Sequence, residues 1–231
     1  MLIDVSCIYN GRATLNTKKA KHKMIFPLSG LYAITAEHHS TPEQLAQAVN
    51  AALRGGAKLI QYRAKSAHDR LAEARLVLAE CRAAGVPLII NDDVELAFAI
   101  NADGVHLGKD DGSVQQARER LGQGAIIGVS CYDSVERALE AQAQGASYAA
   151  FGRFFPSASK PNAPCAHLET LIEAKRKLSI PLVAIGGITP DNGKTLLNAG
   201  ADMLAVIDAV FGTDDPERAA AAFQPLFPCS L

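Results

Sequence analysis

The chain has 231 residues, of which 48% are hydrophobic and 20% are charged, and its formal net charge is −1. These values are typical of a globular enzyme with one large core. The nearly neutral charge argues against nucleic acid or an anionic membrane as a bulk electrostatic partner. No apolar run approaches the length of a membrane span, so the sequence predicts a soluble protein.

The five cysteines are scattered along the sequence and form no Cys-x-x-Cys pair. An odd number without paired spacing fits neither a disulfide framework nor a structural zinc site. Because no signal peptide is recognisable either, this pattern predicts a reducing, cytoplasmic location.

The first 29 residues differ from the rest of the chain. Residues 16–23 are polar and basic, and they precede the first convincing strand. We therefore predict a loosely ordered extension over 1–29 and a single catalytic domain over 30–231. A later start at Met24 and a functional basic tail are the alternatives.

From residue 30 onward, short runs rich in Leu, Ile, Val and Ala alternate with longer amphipathic stretches. Nearly continuous apolar runs are typical of strands that are covered on both faces. The predicted strands are Leu31–Thr35, Lys58–Tyr62, Pro87–Ile90, Gly104–Leu107, Ile126–Val129, Tyr148–Phe151, Leu182–Ile185 and Leu204–Ile207. Eight strands, each followed by a helix, describe an α/β fold of the (β/α)₈ TIM-barrel type. A doubly wound open sheet is the alternative, but even spacing and the lack of a Gly-x-Gly-x-x-Gly turn favour the barrel.

Several helix starts carry recognisable signals. The Thr-Pro pairs at 41–42 and 189–190 predict an N-cap followed by proline in the first turn. Asp133 followed by Glu136 resembles a capping box. These signals place helices directly after the predicted strands.

Polar side chains follow the second strand, where Gln61, Arg63 and Lys65 alternate with apolar residues. In an extended segment such alternating side chains point the same way. A guanidinium and an ammonium group aimed together suit a phosphate or diphosphate. A solvated charge pair is the alternative, but the C-terminal end of a barrel strand favours function.

Carboxylates follow the third and fourth strands, in the segments 91–93 and 106–111. Separated carboxylates that share an ion with diphosphate oxygens and water are the usual magnesium site, since Mg²⁺ seldom has an all-protein cage. For Asp93 and Asp110 we expect helix capping or solvation instead. His106 is expected to be a hydrogen-bonded structural residue rather than a ligand.

The fifth strand is followed by Ser130, and the sixth by a long loop over 152–161. Phe154 and Phe155 are expected to anchor this loop on the core. Hydroxyl and ammonium groups on it could grip phosphate oxygens and close over a substrate. These groups belong to Ser157, Ser159 and Lys160.

After the seventh strand, Gly186 and Gly187 would let the backbone approach a ligand closely, next to a helix predicted to start at Thr189. Barrels frequently bind phosphate with the loops that follow strands seven and eight. The sequence therefore predicts one mouth that handles phosphorylated small molecules.

From about Leu31 to Phe211 the chain resembles the thiamine-phosphate synthase family. Six motifs in order carry the resemblance, each at the same end of its strand. They are Gln61-x-Arg63-x-Lys65, Ile90-Asn91-Asp92, Val105-His106-Leu107-Gly108 with Asp111, Gly128-Val129-Ser130, Phe155-Pro156-Ser157 with Ser159-Lys160-Pro161, and Ala184-Ile185-Gly186-Gly187-Ile188-Thr189.

The resemblance implies a transferase of thiamine biosynthesis. It would condense 4-amino-5-hydroxymethyl-2-methylpyrimidine diphosphate with thiazole phosphate and release pyrophosphate, with Mg²⁺ as cofactor. By resemblance, the pyrimidine diphosphate is held by Gln61, Arg63, Lys65 and Asn91. Mg²⁺ is bound by Asp92 and Asp111, and the leaving diphosphate is contacted by Ser130 and Lys160. The thiazole phosphate is surrounded by Ser157, Ser159, Gly187, Ile207 and Asp208. The catalytic set is Lys160, Arg63, Lys65 and Ser130.

Three positions depart from the family pattern. Arg153 stands where many members have proline, Tyr132 where a histidine is familiar, and Asp208 where serine is common. A carboxylate that faces a phosphate is unfavourable, so the Asp208 side chain points away or a cation compensates it. A thiazole tautomerase-like isomerase and a non-catalytic barrel that binds thiamine phosphate are the alternative functions. The retained Arg, Lys and Asp residues favour the synthase.

Overall fold

The computed structural model describes residues 24–36, 41–64, 69–156 and 165–227. The strands are β1 (Gly30–Ile34), β2 (Leu59–Tyr62), β3 (Leu88–Asn91), β4 (Gly104–Leu107), β5 (Ile126–Tyr132), β6 (Tyr148–Phe151), β7 (Leu182–Ile185) and β8 (Met203–Val206). The helices are α1 (Pro42–Arg54), α2 (Arg70–Ala84), α3 (Val94–Ile100), α4 (Val114–Leu121), α5 (Val135–Ala143), α6 (Leu168–Lys177), α7 (Gly193–Asn198), α8 (Asp208–Phe211) and α9 (Pro216–Ala221), followed by a 3₁₀ turn at Gln224–Leu226.

Each strand pairs in parallel with the next, and β8 pairs with β1 to close the barrel. The predicted (β/α)₈ barrel is therefore confirmed, since an open doubly wound sheet would leave two edges unpaired. Across the described ranges, no helix is both long and apolar enough to cross a membrane.

Neighbouring side chains along a strand point in opposite directions. One set therefore fills the barrel interior and the other packs against the helices, so both faces of the strands are buried. On β1, Tyr32 and Ile34 belong to the cluster inside the barrel. Leu31 and Ala33 belong to the larger cluster between the barrel and its helices. This arrangement explains why the strands appear in the sequence as continuous apolar runs rather than as an alternation.

Most predicted strands match the observed ones within one residue, but β5 is longer than predicted. It continues three residues beyond Val129, because Tyr132 pairs with Phe151 after a register irregularity at residues 130–132. Tyr132 has a positive φ of 57°. Ser130 therefore lies within a strand rather than on the loop where the sequence placed it.

Two predicted helix starts are wrong and one is confirmed. Thr41 caps α1 by accepting a hydrogen bond from the Gln44 backbone N–H, as predicted. The second Thr-Pro pair instead enters a turn, and α7 begins only at Gly193. The cap of α5 is Ser134 rather than Asp133. The Asp133 carboxylate instead accepts hydrogen bonds from the Thr170 hydroxyl of α6 and from the backbone N–H of His167, which precedes α6. Local spacing in the sequence does not reveal this tertiary contact.

Phe26 fills the barrel interior at the N-terminal ends of the strands. The sequence prediction assigns this residue to the N-terminal extension over 1–29. The Phe26 side chain is only 9% exposed, and its ring stacks on Tyr148 with 4.6 Å between centroids. Tyr148 is the first residue of β6, so Phe26 covers the end of the barrel opposite to the strands' C-terminal ends. Residues 1–23 lie outside the described ranges, and the boundary of the extension stays a prediction.

We expect Phe26→Ala to lower the free energy of unfolding by about 3 kcal/mol, because it removes a buried ring and leaves a cavity. Urea denaturation followed by circular dichroism measures the change. Leu28→Ala is the matched control, since Leu28 is 77% exposed and should change the free energy by less than about 0.5 kcal/mol. Equal effects of the two substitutions would contradict the packing role of Phe26.

Candidate active site

A cavity of about 650 Å³ opens at the C-terminal ends of the strands, and all eight strands contribute to its wall. Every predicted site residue within the described ranges lines it: Gln61, Arg63, Asn91, Asp92, Asp111, Ser130, Gly187, Ile207 and Asp208. The predictions for Lys65, Ser157, Ser159 and Lys160 concern positions outside the described residues. The cavity is large enough to bury two small phosphorylated molecules side by side.

The end of β2 positions Gln61 and Arg63 on the cavity wall. Gln61 is 2% exposed, and its Nε2 donates a hydrogen bond of 2.6 Å to the Tyr32 hydroxyl. Thr35 holds the backbone of Arg63 from both sides. The Thr35 Oγ1 accepts from the Arg63 N–H at 2.8 Å and donates to the Arg63 carbonyl at 3.1 Å. The guanidinium group therefore extends from a fixed point of the backbone.

Asp92 and Asp111 approach the same backbone position, Gly108. A Cβ atom at Gly108 would lie 2.5 Å from Oδ2 of Asp111 and 3.9 Å from Oδ1 of Asp92. The Gly108 N–H donates to Oδ2 of Asp111 at 2.8 Å. Asn91 Nδ2 donates to Oδ2 of Asp92 at 2.6 Å. The two carboxylates from neighbouring loops are therefore brought together by hydrogen bonds that hold each in place.

Asp92 and Asp111 could together hold a divalent cation that takes its other ligands from outside the protein. Within the described ranges, no group of three or more His, Cys, Asp or Glu side chains could hold a metal. Mg²⁺ is usually held by one or two carboxylates, with water and phosphate oxygens as the remaining ligands. Asp92 and Asp111 fit that donor set, because both present carboxylate oxygens at the rim of a cavity with room for a diphosphate.

The neighbouring carboxylates are a helix cap and an exposed side chain at the cavity rim, in line with the prediction of capping or solvation. Asp93 caps α3 by accepting from the Leu96 N–H at 2.8 Å, and it pairs with Arg70. Asp110 is exposed. His106 bridges Tyr148 and Ser130 through its two ring nitrogens at 2.9 Å each, which confirms that it is a hydrogen-bonded interior residue.

Arg137 of α5 connects β5 with the loop after β4. Its Nε donates to the Ser130 carbonyl at 2.8 Å, and its Nη2 donates to the Gly108 carbonyl at 3.2 Å. The guanidinium also lies over the Tyr132 ring, 5.8 Å from its centroid. One cation thus holds β5 and the loop after β4 in a fixed relation.

The glycine pair after β7 is required by a neighbouring loop. Gly186 and Gly187 have φ of 105° and 64°. A Cβ at Gly186 would lie 2.3 Å from Cβ of Arg153, and one at Gly187 would lie 2.3 Å from the Pro156 carbonyl oxygen. The close approach that these glycines allow is therefore to the loop after β6, in addition to any ligand. Phe154 and Phe155 pack against the core, so the predicted apolar anchor of that loop is confirmed.

The predicted helix N-terminus at Thr189 is wrong. The Thr189 N–H donates to Oδ1 of Asn192, and Nδ2 of Asn192 donates to the Gly187 carbonyl at 3.0 Å. An asparagine side chain thereby closes a turn where the sequence predicts the first turn of a helix. This turn fixes the backbone of the glycine pair at the cavity wall.

At the end of β8, Ile207 is the N-cap of the short helix α8, and Asp208 is its first residue. Arg153 lines the same cavity as Asp208. All three positions that depart from the family pattern, Tyr132, Arg153 and Asp208, thus line one cavity.

Three residues of this region could not be predicted from the sequence: Tyr32, Tyr148 and Arg137. Tyr32 and Tyr148 lie within apolar strand runs and are indistinguishable from core residues in the sequence. Arg137 is one of several charged residues on an amphipathic helix. Tyr132, which departs from the family pattern in the sequence, lines the cavity.

Comparison with known proteins identifies the family. The profile described as "Thiamine monophosphate synthase" matches residues 31–210. The thiamine-phosphate synthase of Methylococcus capsulatus is 54% identical over 204 residues, which cover 87% of this chain and 91% of that protein. The corresponding protein of Aromatoleum aromaticum is 51% identical over 202 residues, which cover 87% and 97%.

Among solved structures, thiamine phosphate pyrophosphorylase from Pyrococcus furiosus superposes with a TM-score of 0.77 at 36% identity. The match covers 85% of this chain and 94% of that one. Since profile, sequence and structure agree over nearly the whole barrel, the chain belongs to the thiamine monophosphate synthase family.

Proposed function

We propose that the protein condenses 4-amino-5-hydroxymethyl-2-methylpyrimidine diphosphate with thiazole phosphate to give thiamine phosphate and pyrophosphate. The bond between the methylene carbon and the diphosphate oxygen breaks, and the electron pair leaves with the diphosphate. The thiazole nitrogen then forms the new bond to that carbon. This function rests on membership of the family and on the chemistry of the cavity wall.

One observation carries the proposal within the site. A carboxylate pair, a guanidinium and a serine hydroxyl, from Asp92, Asp111, Arg63 and Ser130, face one cavity at the strand ends. A diphosphate needs such a combination of donors and metal-binding oxygens. The electron-rich aminopyrimidine stabilises a cation at its methylene carbon, so the reaction requires no protein nucleophile.

The protein's contribution is to hold the substrates and to stabilise the charge that develops on the leaving diphosphate. Mg²⁺ held by Asp92 and Asp111 would neutralise part of that charge. Arg63, Lys65 and Ser130 donate hydrogen bonds to diphosphate oxygens, and Lys160 adds a further positive charge. Gln61 and Asn91 orient the pyrimidine, and Ser157 and Ser159 hold the thiazole phosphate. On the β7 and β8 side, that phosphate is contacted by Gly187, Ile207 and Asp208.

An isomerase of the tautomerase type is the second candidate. Such an enzyme needs a proton shuttle more than a diphosphate clamp, and Tyr132 stands where the shuttle histidine is expected. The Tyr132 ring lies next to the guanidinium of Arg137, which is a cation and not a proton acceptor. The residues of the site therefore favour the synthase.

The proposed location is the cytoplasm. Cys81 and Cys131 are buried as free thiols, and Cys165 is an exposed free thiol. Burial raises the pKa of the Cys131 thiol to about 12, so this group stays protonated and unreactive. Free thiols without disulfide partners suit a reducing compartment.

A single assay tests the proposed function. Purified protein is incubated with both substrates, and thiamine phosphate and pyrophosphate are measured with Mg²⁺ and with EDTA. We expect both products in equal amounts, and a large loss of rate in EDTA. Binding of thiamine phosphate without turnover would identify a non-catalytic barrel. Isomerisation of a thiazole carboxylate without condensation would identify the tautomerase.

Asp208 lies at the proposed thiazole phosphate subsite, where a carboxylate is unfavourable. We expect it to contribute through its backbone amide, with its side chain balanced by a cation such as Arg153. Asp208→Ser should then keep kcat/KM for thiazole phosphate within about tenfold, a change of at most about 1.4 kcal/mol. Steady-state kinetics measures this, with Asp214→Ser beyond α8 as control. A large gain in kcat/KM would show that the second substrate is a different, uncharged molecule.

A further inference from the structure

A continuous chain of hydrogen bonds crosses the barrel interior beneath the cavity. It runs from Gln61 to Tyr32 (2.6 Å), from Tyr32 to Tyr148 (2.8 Å), and from Tyr148 to Nδ1 of His106 (2.9 Å). Nε2 of His106 then contacts the Ser130 hydroxyl at 2.9 Å. Both ends of the chain, Gln61 on β2 and Ser130 on β5, line the cavity, and Tyr32 and His106 line it between them.

The interior members of this chain are almost completely buried. Tyr148 is 0% exposed, Tyr32 is 1% exposed and His106 is 8% exposed. Burial raises the pKa of both tyrosines well above the usual value, so both remain neutral phenols. A neutral phenol has one proton, and each of these hydroxyls contacts two partners of the chain. Each must therefore donate to one partner and accept from the other.

This requirement gives the whole chain a single direction. Because Nε2 of Gln61 donates to Tyr32, Tyr32 donates to Tyr148, and Tyr148 donates to Nδ1 of His106. A neutral imidazole that accepts at Nδ1 has its proton on Nε2, and it donates that proton to Ser130. The Ser130 oxygen is thereby an acceptor inside the barrel, and its own proton is available to the cavity.

The direction of the chain also decides what Gln61 presents at the other end. Since its amide nitrogen faces Tyr32, its carbonyl oxygen is the group that is available to a ligand. If every donor in the chain were reversed, the Gln61 nitrogen would face the ligand and the Ser130 hydroxyl would be used up by His106. The two ends can therefore change only together.

We propose that Tyr32, Tyr148 and His106 are positioning residues that couple the two halves of the pyrimidine diphosphate site. They fix Ser130 as a hydrogen-bond donor, which suits an anionic diphosphate, and Gln61 as an acceptor, which suits the amino group of the pyrimidine. This inference rests on the proposed function for the identity of the ligand. The direction of the chain itself rests only on the interior contacts.

The histidine tautomer tests the direction without any turnover. We expect ¹⁵N NMR at neutral pH to find His106 with its proton on Nε2, the signals being assigned by comparison with a His106→Gln variant. In Tyr148→Phe, which removes the donor to Nδ1, the Nδ1–H form should become populated. A wild-type His106 with its proton on Nδ1 overturns the proposal, whether or not the protein makes thiamine phosphate.

A double-mutant cycle tests the coupling to Ser130. Tyr148→Phe keeps the ring but removes the hydroxyl, and we expect about a tenfold loss in kcat/KM for the pyrimidine diphosphate. In a Ser130→Ala background, which has no hydroxyl to orient, the same substitution should cost less than about twofold. Calorimetric binding of pyrophosphate with Mg²⁺ should follow the same pattern, which separates this test from a failure of the proposed reaction.

Tyr62→Phe is the matched control for this cycle. Tyr62 is also a buried strand tyrosine, but its hydroxyl donates to Glu73 outside the barrel interior. Its effect, whatever its size, should be the same with and without the Ser130 hydroxyl. If Tyr148→Phe behaves like this control and its full cost remains in Ser130→Ala, His106 and the tyrosines act only as packing and the proposal is wrong.

Discussion

Replacing Asp92 by asparagine is expected to lower kcat by a factor on the order of 10² or more, while the barrel stays folded. Asparagine has nearly the same shape as aspartate but lacks the negative charge that attracts a divalent cation. It also tolerates the left-handed backbone of this position, where φ is 63°. The hydrogen bond that Asn91 donates to Oδ2 can be kept by the amide oxygen. The substitution therefore removes charge with little structural change.

The measurement compares kcat and the midpoint of thermal unfolding for Asp92→Asn, Asp111→Asn and Asp110→Asn. Asp110 is the matched control, because it lies beside Asp111 in the same loop and at the same cavity but is exposed. We expect both site variants to require higher Mg²⁺ concentrations for half-maximal rate, and the control to resemble the wild type. Near-normal turnover in folded Asp92→Asn, or full activity in EDTA, would contradict the assignment of the metal.

The sequence was sufficient to predict the barrel because its strands are buried on both faces. Runs such as Leu88–Ile90 leave no alternation to interpret, and this is typical of parallel strands beneath helices. The same fold rule predicted the location of the site, because the C-terminal ends of parallel strands in a barrel meet at one mouth. Residues as distant in sequence as Gln61 and Gly187 could thus be assigned to one mouth, whereas Asp208 was assigned by resemblance to the family.

The interior hydrogen-bond chain could not be predicted in this way. Tyr32 and Tyr148 are 116 positions apart, and nothing local in their apolar strands indicates that their hydroxyls meet. A tyrosine in such a run is first of all a large apolar side chain. Only closure of the barrel, which brings β1 and β6 to face each other across its axis, makes the contact visible.

Errors in the predicted helix starts have a related cause. Both signals are local, but at Asp133 the carboxylate is used in a tertiary contact, and at Thr189 a neighbouring side chain closes a turn in place of the helix. Asn192 closes a turn onto Gly187, and Asp133 binds Thr170 at the start of α6. Local capping preferences contribute only about 1 kcal/mol, so packing of the loops can override them.

Lys160→Ala is expected to reduce kcat about 100-fold, which corresponds to about 2.7 kcal/mol of transition-state stabilisation. The described chain follows the cavity wall as far as Pro156, four residues before this lysine. By resemblance to the family, we propose that its ammonium group neutralises the diphosphate as it departs. Charge on the leaving group is larger in the transition state than in the bound substrate, so loss of the cation should lower kcat more than affinity.

Steady-state and single-turnover kinetics separate these effects for Lys160→Ala. We expect the KM for thiazole phosphate to change by less than about threefold, because a group that acts mainly in the transition state contributes little to ground-state binding of the second substrate. Lys177→Ala on α6 is the matched control, since Lys177 pairs with Glu173 on the outer surface and should leave both constants unchanged. If Lys160→Ala keeps its maximal rate and loses only affinity for thiazole phosphate, the lysine binds the second substrate. The departing charge would then be stabilised by Arg63, Lys65, Ser130 and the metal, without Lys160.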